Sequence, residues 1–122
     1  MLIAFWIVSG LVALAFFAAG FMKLVRPKAA LAASGMAWTE DFTEPTLKVI
    51  GAAEVLGAIG IVLPALTGIA PILSPIAASA LALVMVGAIV VHVRRKENPT
   101  VNVVLLVLAA TSAVLGFAAL LG

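Results

Sequence analysis

Four polar side chains stand out in this sequence because they lie within or beside long apolar runs. They are Lys23, Glu54, His92 and Asn102. Ionisable groups inside a membrane-spanning segment are costly and are candidates for a functional role by default. A carboxylate and an ammonium group can form an ion pair, and a carboxylate with an imidazole can serve as general acid and base. The chemistry to consider is therefore ion pairing, binding of a polar head group, or proton transfer.

The distances of these residues from the nearest loops predict that they lie at a similar depth. At a helical rise of about 1.5 Å per residue, Glu54 lies about 9 Å beyond Lys48, and the other three lie about 3 to 4.5 Å inside the ends of their runs. The vertical difference between Lys23 and Glu54 is about 4.5 Å, which the stem of a lysine can cover. We therefore predict that four helices gather these four residues into one group, the polar cluster.

Less specific roles remain open for each member of the polar cluster. Lys23 is close enough to the interface for its ammonium group to reach the lipid head groups. His92 and Asn102 lie near the ends of their runs, and an interfacial position would explain each of them alone. Glu54 could equally be a structural ion-pair partner that fixes the register of the helices.

No catalytic site and no metal site are predicted. One histidine and one intramembrane glutamate fall short of the three ligands of a catalytic zinc site. The chain has no cysteine, which removes disulfides, thiolate ligands and thiol exchange. The mid-span hydroxyl groups are expected to hydrogen-bond back to their own helices. These hydroxyl groups belong to Ser9, Ser79, Thr111 and Ser112.

The composition predicts a membrane protein. Of the 122 residues, 66% are hydrophobic and 10% are charged, whereas a soluble domain is about 45–50% apolar and about 25% charged. So short a chain cannot bury this much apolar surface within itself, and a disordered chain would need the opposite composition. The net charge of +2 is too small for a nucleic-acid surface. These numbers exclude a soluble monomer, a disordered chain and a nucleic-acid-binding protein.

Four apolar runs predict one all-α domain over residues 1–122, an integral membrane four-helix bundle. The runs are continuous and far longer than the roughly 9–11 residues of a membrane strand. The predicted spans are residues 2–24, 45–63, 75–93 and 100–121, with the second ending at Pro64. The first run lacks the basic start of a signal peptide, so we expect it to be a retained helix. A short helix at the head-group level is predicted within residues 27–36.

The distribution of charge predicts the orientation. All seven Lys and Arg residues lie in or beside the first and third connections. The positive-inside rule places loops 25–44 and 94–99 in the cytoplasm and both termini outside, as expected for a multi-pass protein of the inner or plasma membrane. Trp6 and Trp38 are predicted to be interfacial anchors.

Two ordered motifs carry a resemblance to a known family. The first helix ends in AAGFMKLVRP, with a G-x-x-K-L pattern, and the second contains GAAEVLGAIGIVLP, with a G-x-x-E-x-x-G pattern. With the histidine that ends the third run and the asparagine that starts the fourth, they make residues 11–117 similar to the DoxX family, and more narrowly to its short DoxX-like branch. The motif residues are Gly20, Lys23, Leu24, Gly51, Glu54 and Gly57.

The resemblance implies a small four-helix protein of the inner membrane. Family members are linked to quinone-coupled oxidation of sulfur compounds and to defence against oxidants or thiol stress, often as a small subunit beside other proteins. By similarity, Lys23, Glu54 and His92 are the polar residues of interest. The lack of cysteine argues against direct thiol exchange by this chain.

Three functions are consistent with these residues. The favoured one is an accessory subunit or binding protein of a membrane redox or oxidative-stress system, without an activity of its own. Its polar cluster would stabilise the bundle or bind a head group such as a quinone ring, and its partners would be the lipid bilayer and a homo-oligomer or larger membrane complex. The alternative is a small proton-coupled transporter that uses Glu54. An enzyme with Glu54 and His92 as acid and base has no substrate-recognition feature in its favour.

Overall fold

Four long helices and two short ones make up residues 2–121, the part of the chain that the computed structural model describes. The long helices are α1 (Leu2–Val25), α3 (Glu44–Thr67), α4 (Leu73–Arg94) and α5 (Thr100–Leu121). The connection after α1 contains the short helix α2 (Lys28–Ala33) and a 3-10 helix (Ala37–Asp41). The predicted all-α class is confirmed, because 86% of the described residues are helical and none of them forms a strand.

The four long helices are long and apolar enough to cross a membrane. With 22 to 24 residues each, they measure about 33–36 Å, slightly more than the hydrocarbon core of about 30 Å. Their outer surfaces expose many large aliphatic side chains, as contact with lipid requires. The chain is therefore a multi-pass membrane protein built as a four-helix bundle.

The predicted end of the second span at Pro64 is wrong, because α3 continues through this proline to Thr67. Proline inside a helix removes one N–H donor and crowds the carbonyl group four residues earlier, but membrane helices tolerate it where side chains and local adjustments satisfy the freed backbone groups. The hydroxyl group of Thr67 donates to the carbonyl oxygen of Leu63 at 2.7 Å. Gly68, in the left-handed conformation with φ of 73°, ends the helix by donating its N–H to the Pro64 carbonyl at 3.0 Å. The other three long helices begin and end within two residues of the predicted spans.

The main helix contacts follow a ring in the order α1, α3, α4, α5 and back to α1. All neighbours in this ring are antiparallel, so the connections 26–43 and 95–99 lie at one end of the bundle, which we call the basic end. The connection 68–72 and both ends of the described chain lie at the other, which we call the apolar end. Between the ends is a buried apolar core of Val12, Phe16, Ala58, Ile61, Ala78, Leu81, Met85, Ala109 and Ala113.

Helices α1 and α3 cross most closely at a pair of glycines. A Cβ atom on Gly20 would lie 2.6 Å from the backbone oxygen of Gly51, and one on Gly51 would lie 2.8 Å from the backbone oxygen of Gly20. Neither position can hold a side chain without separating the helices. Small residues allow this kind of backbone approach between membrane helices. Gly20 and Gly51 thus set the distance between α1 and α3.

The mid-span hydroxyl groups behave in two ways. Ser79 and Thr111 donate to the carbonyl oxygens four residues earlier, as predicted, at 2.8 and 2.7 Å. For Ser9 and Ser112 the prediction is wrong, because their hydroxyl groups hydrogen-bond to each other at 2.7 Å between α1 and α5. Both side chains are fully buried where these helices meet, so each hydroxyl group satisfies the other.

Gly20→Ala is expected to destabilise the bundle by about 1–3 kcal/mol, because the added methyl group overpacks the crossing of α1 and α3. Gly10→Ala is the matched control on the same helix, since a Cβ atom there meets nothing within 4 Å. We expect it to be neutral or to stabilise by up to about 1 kcal/mol through helix propensity. Unfolding in detergent micelles with increasing SDS measures both changes. Equal stability of the two variants would contradict the close crossing.

Candidate functional site

A buried ion pair joins α1 to α3 at the glycine crossing itself. The Nζ atom of Lys23 lies 2.5 Å from Oε1 of Glu54, and the two side chains are only 7% and 2% exposed. The Cβ atom of Lys23 lies against Gly51 and the Cβ atom of Glu54 lies against Gly20, so the close approach of the antiparallel helices brings the two charged side chains together. The pair neutralises both charges and makes a hydrogen bond that offsets part of their desolvation.

Lys48 fixes the end of α1 beside this pair. Its Nζ atom donates to the carbonyl oxygens of Lys23 and Arg26, each at 2.8 Å. Free carbonyl groups at a helix C-terminus attract cations, so this lysine caps α1 from the first turns of α3. The sequence indicated the depth of the neighbouring groups and the orientation of the bundle through Lys48, but this capping role was not predicted. The signal was available, since the residue lies near the start of the helix that must pack antiparallel to α1.

Residues 35–42, which we call the roof, cover the ion pair at the basic end. Gly35 has a φ of 99°, a conformation that favours glycine. The Trp38 ring lies 5.6 Å from the Nζ atom of Lys23, within the range of a cation–π interaction. The same ring packs edge-on against Phe42 at 5.6 Å and against His92 at 6.3 Å between centroids.

The two tryptophans that were predicted to be interfacial anchors, Trp38 and Trp6, have different surroundings. Trp38 is half-buried above the ion pair rather than lying on the outer surface of the bundle. Trp6 is half-buried near the start of α1, where it packs edge-on against Phe5 at 5.3 Å. Anchoring in the head-group region stays a prediction for both residues.

A chain of charged contacts ties the roof to the connection between α4 and α5. Nδ1 of His92 lies 3.0 Å from Oε1 of Glu97, and Arg95 contacts Oε2 of Glu97 at 3.2 Å and Oδ2 of Asp41 at 2.8 Å. The hydrogen bond from His92, and to a lesser extent the bond and charge of Arg95, hold the pKa of Glu97 below its ordinary value. The hydrogen bonds to Asp41 and Glu97 raise the pKa of Arg95. Both charged groups are therefore ionised at neutral pH.

A cavity of about 600 Å³ lies between the ion pair, the roof and the ends of α4 and α5. All four residues of the polar cluster line it, together with Trp38. Most of its remaining wall is apolar and comes from α4, α5 and the roof. Ligand-binding cavities are typically about 300–1,000 Å³, largely apolar, with a few convergent polar groups. The size and lining of this cavity match that description.

The four side chains share this cavity, but they do not all touch one another. Lys23 and Glu54 bond to each other, whereas His92 bonds to Glu97, which the sequence analysis did not single out. Asn102 makes no side-chain hydrogen bond within residues 2–121 and is half-buried in the cavity wall. The cluster thus consists of one satisfied pair and two polar groups available to a ligand.

Metal binding has no support in this part of the chain. Among residues 2–121, no three His, Asp or Glu side chains are placed so that they could hold a metal ion. The polar groups that line the cavity are instead suited to hydrogen bonding with an organic head group.

The fold and the cavity together define a class: a small four-helix membrane protein with a polar cavity at one end of the bundle. Comparison with known families gives a more specific answer. Residues 7–114 match the model of the DoxX-like family, which covers nearly the whole chain, and the protein belongs to this family. No curated protein and no solved structure matches the sequence.

Removing one partner of the Lys23–Glu54 pair is expected to destabilise the protein by about 3–5 kcal/mol, because the other charge remains buried without a partner. When both are replaced, in Lys23→Met with Glu54→Leu, the loss should be smaller than the sum of the single losses by about 1–3 kcal/mol. SDS-induced unfolding of the four proteins measures this coupling.

Lys28→Met combined with Glu54→Leu is the matched control. Lys28 lies on α2 and is not bonded to Glu54, so these two losses should add within about 0.5 kcal/mol. Additive losses for Lys23→Met and Glu54→Leu would show that the two groups do not interact in the folded protein.

Proposed function

We propose that this protein is an accessory binding protein of a membrane redox or oxidative-stress system. Its cavity takes up an amphiphile whose ring-shaped polar head, such as that of a quinone, lies against His92 and Asn102. The apolar tail of the ligand extends along the apolar side chains of α4 and α5. The Lys23–Glu54 pair stabilises the wall of the cavity and supplies no chemistry of its own.

The observation that carries this proposal is the composition of the cavity wall. Imidazole, amide and ammonium groups face a space of about 600 Å³ that is otherwise lined mainly by apolar side chains. Such a wall suits a molecule with a small polar head and an apolar body. The ring of Trp38 offers a flat surface for stacking against an aromatic or quinoid head.

The redox assignment comes from the family. The resemblance of the chain to DoxX proteins implies work beside other proteins in quinone-coupled or oxidant-related processes. The longest connection, residues 26–43, contains only two short helices, and it is too short to form a catalytic domain. An accessory role is consistent with both features.

The basic end faces the cytoplasm in this proposal. All seven Lys and Arg residues belong to this end of the bundle, and the connection at the apolar end has none. The positive-inside rule then places the cavity on the cytoplasmic side of the membrane.

The geometry gives the transporter alternative less support. A carboxylate that exchanges protons must be reached from both sides of the membrane, whereas Glu54 is 2% exposed and bonded to Lys23. His92 and Asn102, which also line the cavity, have no role in that alternative. Binding of a head group accounts for more of the cavity wall.

The protein purified in a mild detergent from quinone-containing membranes is expected to retain quinone, counted as the sum of its oxidised and quinol forms. Gly87→Phe should reduce the quinone recovered per protein at least about fivefold, because Gly87 lines the cavity and has open space where a side chain would begin. Gly10→Phe is the matched control, since Gly10 has similar space but lies away from the cavity. Solvent extraction and chromatography quantify the quinone. Recovery of a lone chain without quinone, or equal retention by all three proteins, would contradict the proposal.

The absence of cysteine makes the orientation easy to test. Ser34→Cys places a single thiol in the connection 26–43, and Ile69→Cys places one in the connection 68–72. In intact cells a membrane-impermeant maleimide should label Ile69→Cys at once and Ser34→Cys only after permeabilisation. The reverse pattern would place the cavity on the outer side of the membrane.

A further inference from the structure

The contact between His92 and Glu97 fixes which nitrogen of the ring carries the hydrogen. Oε1 of Glu97 lies 3.0 Å from Nδ1 of His92, and Oε2 of the same carboxylate accepts from Arg95 at 3.2 Å. The lowered pKa of Glu97 keeps this carboxylate ionised at neutral pH. Because an ionised carboxylate can only accept hydrogen bonds, Nδ1 must be the donor.

In a neutral His92 ring, the other ring nitrogen, Nε2, is therefore a hydrogen-bond acceptor. When Nδ1 carries the hydrogen, Nε2 has a free lone pair. His92 lines the cavity whereas Glu97 does not, and from this we infer that the side of the ring carrying Nε2, which is turned away from the carboxylate, faces the cavity. Within residues 2–121, Nε2 has no hydrogen-bond partner, while Lys23 and Glu54 satisfy each other.

We propose that the cavity selects amphiphiles whose polar head carries a hydroxyl group, as in a quinol or another phenol, over heads that only accept hydrogen bonds. This inference rests on the proposed function and specifies the ligand of the same cavity. The hydroxyl group of the ligand donates to Nε2 of His92. Glu97 acts as a positioning residue, because it sets the tautomer without touching the ligand.

The preference for a hydroxyl group arises because a phenol and an ether leave different hydrogen-bonding groups without a partner. A phenol satisfies the lone pair of Nε2, whereas a phenyl ether of the same shape brings a second acceptor against it and leaves both groups without a donor. The Asn102 amide has both donors and acceptors, so it contributes little to the choice. One net hydrogen bond corresponds to a preference of about tenfold.

The test compares 4-nonylphenol with 4-nonylanisole, which differ only by methylation of the hydroxyl oxygen. Neither compound is oxidised or reduced under the conditions of the titration, so the experiment measures binding alone. Trp6→Phe leaves Trp38 as the single tryptophan, at the wall of the cavity. Titrations in detergent at pH 8, where a histidine side chain is ordinarily neutral, follow the fluorescence of Trp38 excited at 295 nm. Gly87→Phe, which fills the cavity, and Gly10→Phe, which does not, are each added to this background. A fluorescence change that Gly87→Phe abolishes and Gly10→Phe keeps comes from binding in the cavity, whereas a change that both keep comes from partition of the probe into the micelle.

The phenol is expected to bind the Trp6→Phe protein about tenfold more tightly than the ether. His92→Phe in the same background should keep binding of both probes but bring the affinity ratio to within about twofold, since a phenyl ring fills the space without an acceptor. The inference would be overturned if the His92→Phe protein still bound the phenol about tenfold more tightly than the ether, or if the Trp6→Phe protein bound both probes equally. Either result would leave the proposed function intact. If neither probe binds the cavity, the proposed function itself fails.

The tautomer of His92 reports the positioning role of Glu97, because a variant that only lost stability would leave the tautomer unchanged. The chain contains one histidine, so the ¹⁵N chemical shifts of a histidine-labelled sample report its tautomer directly. The starting protein should show the form with hydrogen on Nδ1. Glu97→Gln, whose amide group can donate to Nδ1, should shift the population towards hydrogen on Nε2 and lower the phenol-to-ether ratio at least about threefold. An unchanged tautomer and ratio in a folded Glu97→Gln protein would contradict the positioning role.

Discussion

The rest of this structure depends on placing one carboxylate inside an apolar bundle. An ionised glutamate among hydrocarbon tails is unstable without a counter-charge, and Lys23 supplies one at 2.5 Å. That contact needs α1 and α3 to approach closely, which the bare backbones of Gly20 and Gly51 permit. The two motifs therefore form one structural unit, in which the glycines bring the helices together and the charged residues hold their register.

The ion pair also shapes the space beside it. Because Lys23 and Glu54 satisfy each other, they close one wall of the cavity and leave His92 and Asn102 as the groups available to a ligand. Trp38 covers the pair and contacts the histidine ring. A single structural contact thus supports a cavity wall made partly by other residues, which is how polar groups come to line a space within an apolar protein.

Much of the fold could be predicted from the sequence, because long apolar runs in a membrane have few alternatives to helices. The depth of each polar residue followed from helical rise, and all four residues of the polar cluster line one cavity. The end of α3 was missed, because membrane-spanning helices tolerate an internal proline more readily than soluble helices do. The pairing of Ser9 with Ser112 depends on how α1 and α5 rotate about their axes, which composition alone does not determine.

The parts that escaped prediction lie in the connections. Residues 35–42 cover the cavity through aromatic packing whose geometry depends on the left-handed turn at Gly35. The role of Glu97 became visible only in the structure, where its carboxylate hydrogen-bonds to Nδ1 of His92. Short loops place side chains through turns and contacts that have no periodic signal, so periodicity could not reveal these partners.

The helices form two hairpins, α1 with α3 and α4 with α5, that are attached unequally at the two ends of the bundle. Towards the apolar end, the bond between Ser9 and Ser112 and the bond from Ser74 to the Ile61 carbonyl at 2.6 Å connect the hairpins through buried groups. At the basic end the cavity lies between them, and the ion pair of Asp41 with Arg95 bridges it from partly exposed side chains. Solvent screens such partly exposed pairs, so they add little to stability. The cavity therefore lies at the end of the bundle where the two hairpins are joined by the weaker contacts.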